Sequence, residues 1–242
     1  MTGTFSAIVN DLKSLIQPEK AAFLPRFFKT GKGQYGEGDL FHGIVVPDQR
    51  AVAKRHFATT SKETIIQLLD SPFHEERLTA LFILCLHFNS AQKIGTEKEW
   101  FDLYVSKAER VNNWDLVDSS AHIILGAYLE KRDRTLLYTF ASSDSLWKNR
   151  IAVVATWHFI RKNDLKDILQ LSEILLHHPH DLMHKAIGWM LREAWKRDSL
   201  AIEEFLDEHA TVMPRTMLRY AIEKMDEKKR KNYLDLKKMN KF

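Results

Sequence analysis

The sequence predicts an all-α chain built of stacked helix pairs. Three observations lead there. Glycine (9) and proline (6) together make up 15 of 242 residues, about half of average usage, and sheet proteins need such turn residues often. Apolar residues fall at 5, 8, 9, 12 and 15 in the opening segment, and the same spacings of three and four recur downstream, which is the helical period. No segment alternates apolar and polar residues long enough to form a strand.

The elements follow in order. The first helix runs from Phe5 to Leu15 and is stopped by Pro18, and a second reaches about Lys29. Then comes the glycine-rich stretch GKGQYGEGDLFHG, residues 31–43, which holds five of the nine glycines. Pro47 opens the next helix, PDQRAVAKRHFA, at the N1 position, where its missing N–H is not needed. From there helix follows helix, punctuated at Ser71-Pro72, Asn112-Asn113, Ser142-Ser143, Pro179 and Pro214. No linker interrupts them, so residues 1–242 read as a single domain.

The punctuation is roughly periodic. The helices EERLTALFIL (75–84), LVDSSAHIIL (116–125), KNRIAVVATW (148–157), MHKAIGWMLR (183–192) and MLRYAIEKM (217–225) can be stacked on one another. That register makes Arg77, Asp118, Arg150, Lys185 and Arg219 equivalent, at intervals of 41, 32, 35 and 34 residues. Such periods fit a HEAT/armadillo-like α-α superhelix, a solenoid of antiparallel helix pairs. The competing arrangement is an irregular helical bundle. In a solenoid the second helices line the concave face, so four basic positions would track a polyanion across a concave groove, interrupted by Asp118. Ordinary surface charge near helix starts would give the same pattern.

Composition excludes several classes. The single cysteine, Cys85, leaves no disulfide framework and no CxxC zinc site; within the run LFILCL it reads as a buried hydrophobe. No apolar run approaches the ~18 residues of a membrane span, and Asp11 and Lys13 interrupt the N-terminal apolar pattern, so no signal peptide is expected. The expectation is a soluble cytoplasmic protein. The net charge of +4 is located in one place: residues 226–242 carry seven basic and three acidic side chains, leaving 29 against 29 in residues 1–225. This basic tail reads as a solvated, frayed terminus. Any affinity for DNA must therefore come from how a neutral body distributes its charge.

Three segments could carry chemistry. In NNWDLVDSS an asparagine can cap a helix, Asp115 suits its positive first turn, and Trp114 and Asp118 are four apart on one face. Burying a carboxylate beside an indole is costly, yet the pair suits a site that receives a cation. A half-buried tryptophan beside a solvated aspartate is the plainer reading. In KAIGWMLRE, Gly188 inside a helix costs ~1 kcal/mol against alanine, which implies a close approach there; Lys185, Trp189 and Arg192 share a face. In DSLWKNR, Lys148 and Arg150 at a helix start suit phosphate. His180 and His184 have the i, i+4 spacing of metal ligands, but with no HExxH glutamate and no third ligand, no metal or other cofactor is expected.

Taken together, NNWDLVDSS, SLWKNR and HKAIGWMLRE in an all-helical chain resemble the DNA alkylation repair family of HEAT-like DNA glycosylases. The resemblance extends to GDLFHGIVVPDQR and MPRTMLRYAIEK, and departs at Val45, where several members carry a long polar residue. It implies that Trp114, Asp118, Arg150 and Trp189 form the catalytic surface, and that N3- or N7-alkylated purines are excised from duplex DNA by a monofunctional enzyme acting as a monomer. The candidate DNA contacts are Arg77, Lys148, Lys185, Arg192, Arg215 and Arg219. Two other classes are compatible with the same scaffold: a catalytically silent DNA-structure binder and a protein–protein scaffold.

Overall fold

The computed structural model describes residues 3–239, which form two compact units divided between Tyr128 and Leu129. Helices account for the regular structure in both.

In the first unit, α1 (Phe5–Lys13) begins where the Thr4 hydroxyl accepts the Ala7 N–H, and it buries Ile8, Val9 and Leu12. It stops two residues before the expected Leu15. α2 (Pro18–Phe27) opens on Pro18, the residue expected to stop the first helix, ends two residues before the expected Lys29, and buries none of its residues. The glycine-rich stretch makes turns. Glycine is required at Gly43, which has φ +84° and whose added Cβ would lie 2.2 Å from the Gln17 carbonyl oxygen. α3 (Val46–His56) takes Pro47 as its second residue rather than its first. α4 (Lys62–Leu69) is capped by Ser61.

α5 (His74–Gln92) is the spine of this unit, packed against α3, α4 and α7 (Trp114–Ala121). Every residue from His74 to Cys85 is buried. A helix buried on all sides cannot show a polar stripe. Among these residues Cys85 is the expected buried hydrophobe, its thiol pushed up to about 12 by burial, which leaves it unreactive. The charged residues that open α5 hold the preceding loop. The buried Glu75 carboxylate accepts the backbone N–H groups of His42 (3.1 Å), Gly43 (2.8 Å) and Ile44 (3.2 Å). α6 (Lys98–Ser106) precedes α7, which runs directly into a π-helical turn over His122–Gly126. The short α8 (Ala127–Leu129) lies at the division.

The second unit repeats one arrangement. α9 (Thr135–Ala141) packs on α10 (Leu146–Ala155), and α12 (Lys166–Ile174) and α14 (Ser199–His209) pack on α13 (Asp181–Trp195). α10 then packs on α13, and α13 on α15 (Arg215–Ala221). Within this unit the helices of the predicted register, α10, α13 and α15, thus pack on one another in sequence order. A short α11 (Trp157–Ile160) follows the break at Thr156.

Gly188 explains the tightest of these contacts. An added Cβ would lie 2.5 Å from both the Met217 carbonyl oxygen and Tyr220 Cβ. The close approach inferred from a mid-helix glycine is therefore that of α15.

The tail differs from its expectation. Over its described part it is a helix, α16 (Glu227–Met239), and residues 240–242 lie outside the described residues. It is anchored by the buried Tyr233, which donates to Asp207 Oδ1 (2.8 Å), and by Lys229 on Glu203 (2.7 Å). One aromatic residue among the lysines supplies an anchor that net charge does not show. Among the described residues, no helix is long and apolar enough to cross a membrane.

Candidate active site

The sequence places Trp114 at the first position of α7, and the fold fixes it there. Asn113 is the N-cap, its side-chain oxygen accepting the Trp114 N–H at 2.9 Å, so one helical donor is satisfied by the preceding residue. The indole is half-buried and stacks on Phe28 (centroids 5.5 Å, interplanar angle 15°). Asp118 follows one turn later and is also half-buried. The opposite side of α7 is locked: Ser120 donates to the Leu116 carbonyl (2.7 Å) and meets the buried Tyr104 hydroxyl at 3.1 Å. These bonds hold the α7 backbone that carries Trp114 and Asp118, and the Phe28 stack holds the indole. A preorganised backbone is the first requirement of an electrostatic site.

Asp115 has a partner that the sequence did not reveal. Its carboxylate receives Nε2 of His74 at 2.8 Å, while His74 Nδ1 faces Asp39 at 3.1 Å. Asp39 also pairs with Arg77 (2.6 Å) and accepts from Asn113 Nδ2 (3.3 Å). Burial pushes the His74 pKa down, but the charge and hydrogen bond of Asp115, with the hydrogen bond of Asp39, outweigh it and raise it to about 9. His74 is therefore an imidazolium at neutral pH. Burial likewise works against ionised Asp39, and the His74 hydrogen bond and Arg77 charge overcome it, leaving its pKa low. Two buried cations are thus interleaved with two carboxylates, which is the condition for burying charge at all.

This network corrects one expected DNA contact. Arg77 is 1% exposed, and its guanidinium is committed to Asp39 and to the Ser71 carbonyl (3.0 Å). A side chain enclosed in that way cannot contact phosphate. Its register position is equivalent to that of Arg219, but its partner sits 38 residues upstream in the glycine-rich loop, and spacing within helices carries no information about that pairing. The signal that was available is HEER, a polar run heading the most apolar helix.

The remaining candidates lie in the second unit. Arg150, on α10, is 4% exposed and donates to the Leu182 carbonyl in the first turn of α13 (2.6 Å). This links it to the helix that carries Lys185, Trp189 and Arg192. Trp189 is half-buried and packs on Trp157 with centroids 5.2 Å apart. Lys185 pairs with Asp181 (2.8 Å), and Arg192 pairs with Glu223. Lys148 reaches over the Phe140 ring at 6.0 Å. Arg215 and Arg219 line a cavity of about 620 Å³ with Arg230, and Arg215 donates to the Leu234 carbonyl (2.9 Å). Several members of the expected basic row therefore already hold carboxylates or carbonyls.

The histidine segment has a structural use. His180 caps α13, its Nδ1 accepting the Leu182 N–H at 3.1 Å, and His184 Nε2 lies 2.6 Å from the His178 carbonyl.

The model of the DNA alkylation repair enzyme family matches residues 8–225. The chain belongs to that family. A solved structure described as a predicted DNA alkylation repair enzyme from Enterococcus faecalis shares the fold, with a TM-score of 0.69 at 20% identity over 88% of this chain and 97% of that one. No curated protein matches the sequence. Membership of a DNA alkylation repair enzyme family accords with the all-α architecture.

Proposed function

We propose that the protein is a DNA glycosylase that hydrolyses the N-glycosidic bond of cationic N3- or N7-alkylated purines, such as 3-methyladenine and 7-methylguanine, in duplex DNA during base excision repair. The observation that carries this reading is the half-buried pair of Trp114 and Asp118, one turn apart on the capped helix α7, in a chain of the DNA alkylation repair enzyme family.

The chemistry follows from the lesion. A cationic purine is a good leaving group and departs with the glycosidic electron pair as a neutral base. Its departure develops positive charge on the deoxyribose, and water adds at the sugar carbon and loses a proton. A fixed carboxylate stabilises that charge and orients the water, and this is the role of Asp118. Trp114 and Trp189 offer π-faces to a cationic sugar or base. The expected phosphate contact of Arg150 meets the same obstacle as that of Arg77, since it is 4% exposed and donates to the Leu182 carbonyl. Arg150 instead positions the first turn of α13, and Lys148, Lys185, Arg192, Arg215 and Arg219 serve as backbone contacts that position without reading sequence. In this reading water is the nucleophile and no cofactor takes part, so the enzyme cuts the glycosidic bond alone. The whole chain serves as one HEAT-like repeat domain acting as a monomer in the cytoplasm.

The test is chromatographic detection of free 3-methyladenine and 7-methylguanine released from methylated duplex DNA. Release by the wild-type protein and its loss in Asp118→Asn is the expected result. Absence of release by the wild type, or undiminished release by Asp118→Asn, overturns the assignment.

A further inference from the structure

α2 is unusual among the helices of this chain in burying none of its residues. It exposes two phenylalanines, Phe23 (60%) and Phe27 (50%). Exposed apolar residues clustered on one element mark an interaction surface. The rings are also ordered. Phe23 stacks on Phe27 (6.1 Å, 28°), and Phe27 meets the edge or face of Phe28 (5.0 Å, 85°) and of Trp114 (6.0 Å, 70°). A row of aromatic rings thus leads from solvent to the indole.

The row ends at a cavity of about 360 Å³ whose lining includes Lys20, Leu24, Phe27, Phe28, Val45 and Trp114. That volume lies at the small end of the ~300–1,000 Å³ of small-molecule sites, and most of the surface it exposes is apolar, although Gln49, Glu75 and the His74–Asp115 pair also form part of its wall. Charge decides what kind of molecule approaches it. Residues 18–32 contain four basic side chains, Lys20, Arg26, Lys29 and Lys32, against one acid, Glu19. All four basic residues are exposed.

Basic charge beside exposed aromatic rings suits either a polynucleotide or an anionic lipid surface. Three features favour the polynucleotide. The two exposed rings, Phe23 and Phe27, lie near parallel at 28°, so they offer flat apolar surface in one orientation. They lead into a cavity sized for one small planar group. The helix has ten residues with Pro25 inside it, a poor amphipathic rod for lying in a bilayer surface. In a duplex the faces of the bases are already stacked on each other, and only an unpaired base can stack on a side chain.

We propose that Phe23, Phe27 and the cavity beside Trp114 form a receptor for unpaired nucleobases of single-stranded DNA, with Lys20 and Arg26 on its phosphates. This surface shares Trp114 with the glycosylase chemistry but does not depend on it.

The experiment is fluorescence anisotropy of a labelled oligo(dT) of about twelve nucleotides, a length within the usual single-strand site range. A duplex of equal length and phosphatidylcholine–phosphatidylserine vesicles are run in parallel. The wild type is expected to bind the oligonucleotide. Phe23→Ala/Phe27→Ala should weaken it roughly 5- to 150-fold per stacked base, the factor that stacking loss brings, with duplex affinity and thermal midpoint unchanged. Phe27→Trp should restore binding relative to Phe27→Ala. Lys20→Ala/Arg26→Ala should instead lower the salt slope, by about 0.7 for each phosphate that is no longer neutralised. Three results overturn the proposal: no binding of the oligonucleotide, equal binding by the phenylalanine variant, or vesicle binding that the same variant abolishes. Because base release from duplex is a separate readout governed by Asp118, failure here leaves the glycosylase assignment standing, and the reverse also holds.

Discussion

His74 Nε2 stands 2.8 Å from Asp115 Oδ2, so the head of α5 is ion-paired to the residue that follows Trp114. The imidazolium is sealed from solvent and held between two carboxylates, with its pKa raised to about 9 from an ordinary 6.5. Unfolding returns the ring to water and to its ordinary pKa. Between those two values the folded state holds a proton that the unfolded state has released.

Stability is therefore predicted to depend on alkaline pH. The contribution of His74 is fully present below pH ~6.5 and is lost as pH rises through ~9. At about 1.4 kcal/mol for each pH unit between those two values, it is on the order of 3 kcal/mol. Urea titrations across this range should show the unfolding free energy falling. His74→Gln should be less stable at pH 6 and should lose most of the slope. An equal slope in wild type and variant would assign the pH dependence to other groups.

Arg77 is predicted to be a structural residue. Arg77→Ala removes the cation from a buried carboxylate, a change that typically costs about 3–5 kcal/mol. His74 and Asn113 also serve Asp39, which places the expected loss near the lower bound. Thermal melts should show the drop, while the salt slope of duplex binding, measured below the melting point, should match wild type. A reduced slope would mean that Arg77 touches phosphate after all.

These residues also show what the sequence disclosed and what it concealed. α13 was legible because exposed and buried faces alternate at 3.6 residues, whereas α5, buried throughout its first three turns, was legible only from its length and the breaks that bound it. Gly188 was legible because an interior glycine demands a reason. Trp114, Asp118 and the Asn113 cap were legible because capping and face-sharing act over four residues. Arg77 was misread because its carboxylate lies in a loop 38 residues away. His74 was missed for the same reason, as Asp39 and Asp115 are 35 and 41 residues distant. The π-helical turn at His122–Gly126 left no trace either, since HIILG has the same apolar spacing in either helix. The tail was read from its charge, whereas Tyr233 determines where it docks.

Asp118→Asn is predicted to reduce base release by about 10²- to 10⁴-fold, the range for removing one electrostatic or acid–base group. The amide keeps the size and the half-buried setting of the side chain, so melting temperature and duplex affinity should stay near wild type. Single-turnover kinetics on a defined 7-methylguanine duplex separates the chemical step from binding. A rate unchanged within threefold would remove Asp118 from the mechanism.

Gly188→Ala sets two effects of opposite sign against each other. Alanine favours the helix by ~1 kcal/mol. Its methyl would stand 2.5 Å from the Met217 carbonyl oxygen and 2.5 Å from Tyr220 Cβ. Neither atom is the far end of a flexible chain, so α15 must move away from α13, and overpacking of that kind costs about 1–3 kcal/mol. The steric clash should win, and the variant should be less stable than wild type by up to ~2 kcal/mol in urea unfolding. Because Arg215 and Arg219 ride on α15, the displacement should also weaken duplex binding. A variant more stable than wild type would show that the packing of α15 on α13 yields at little cost and that propensity decides the outcome.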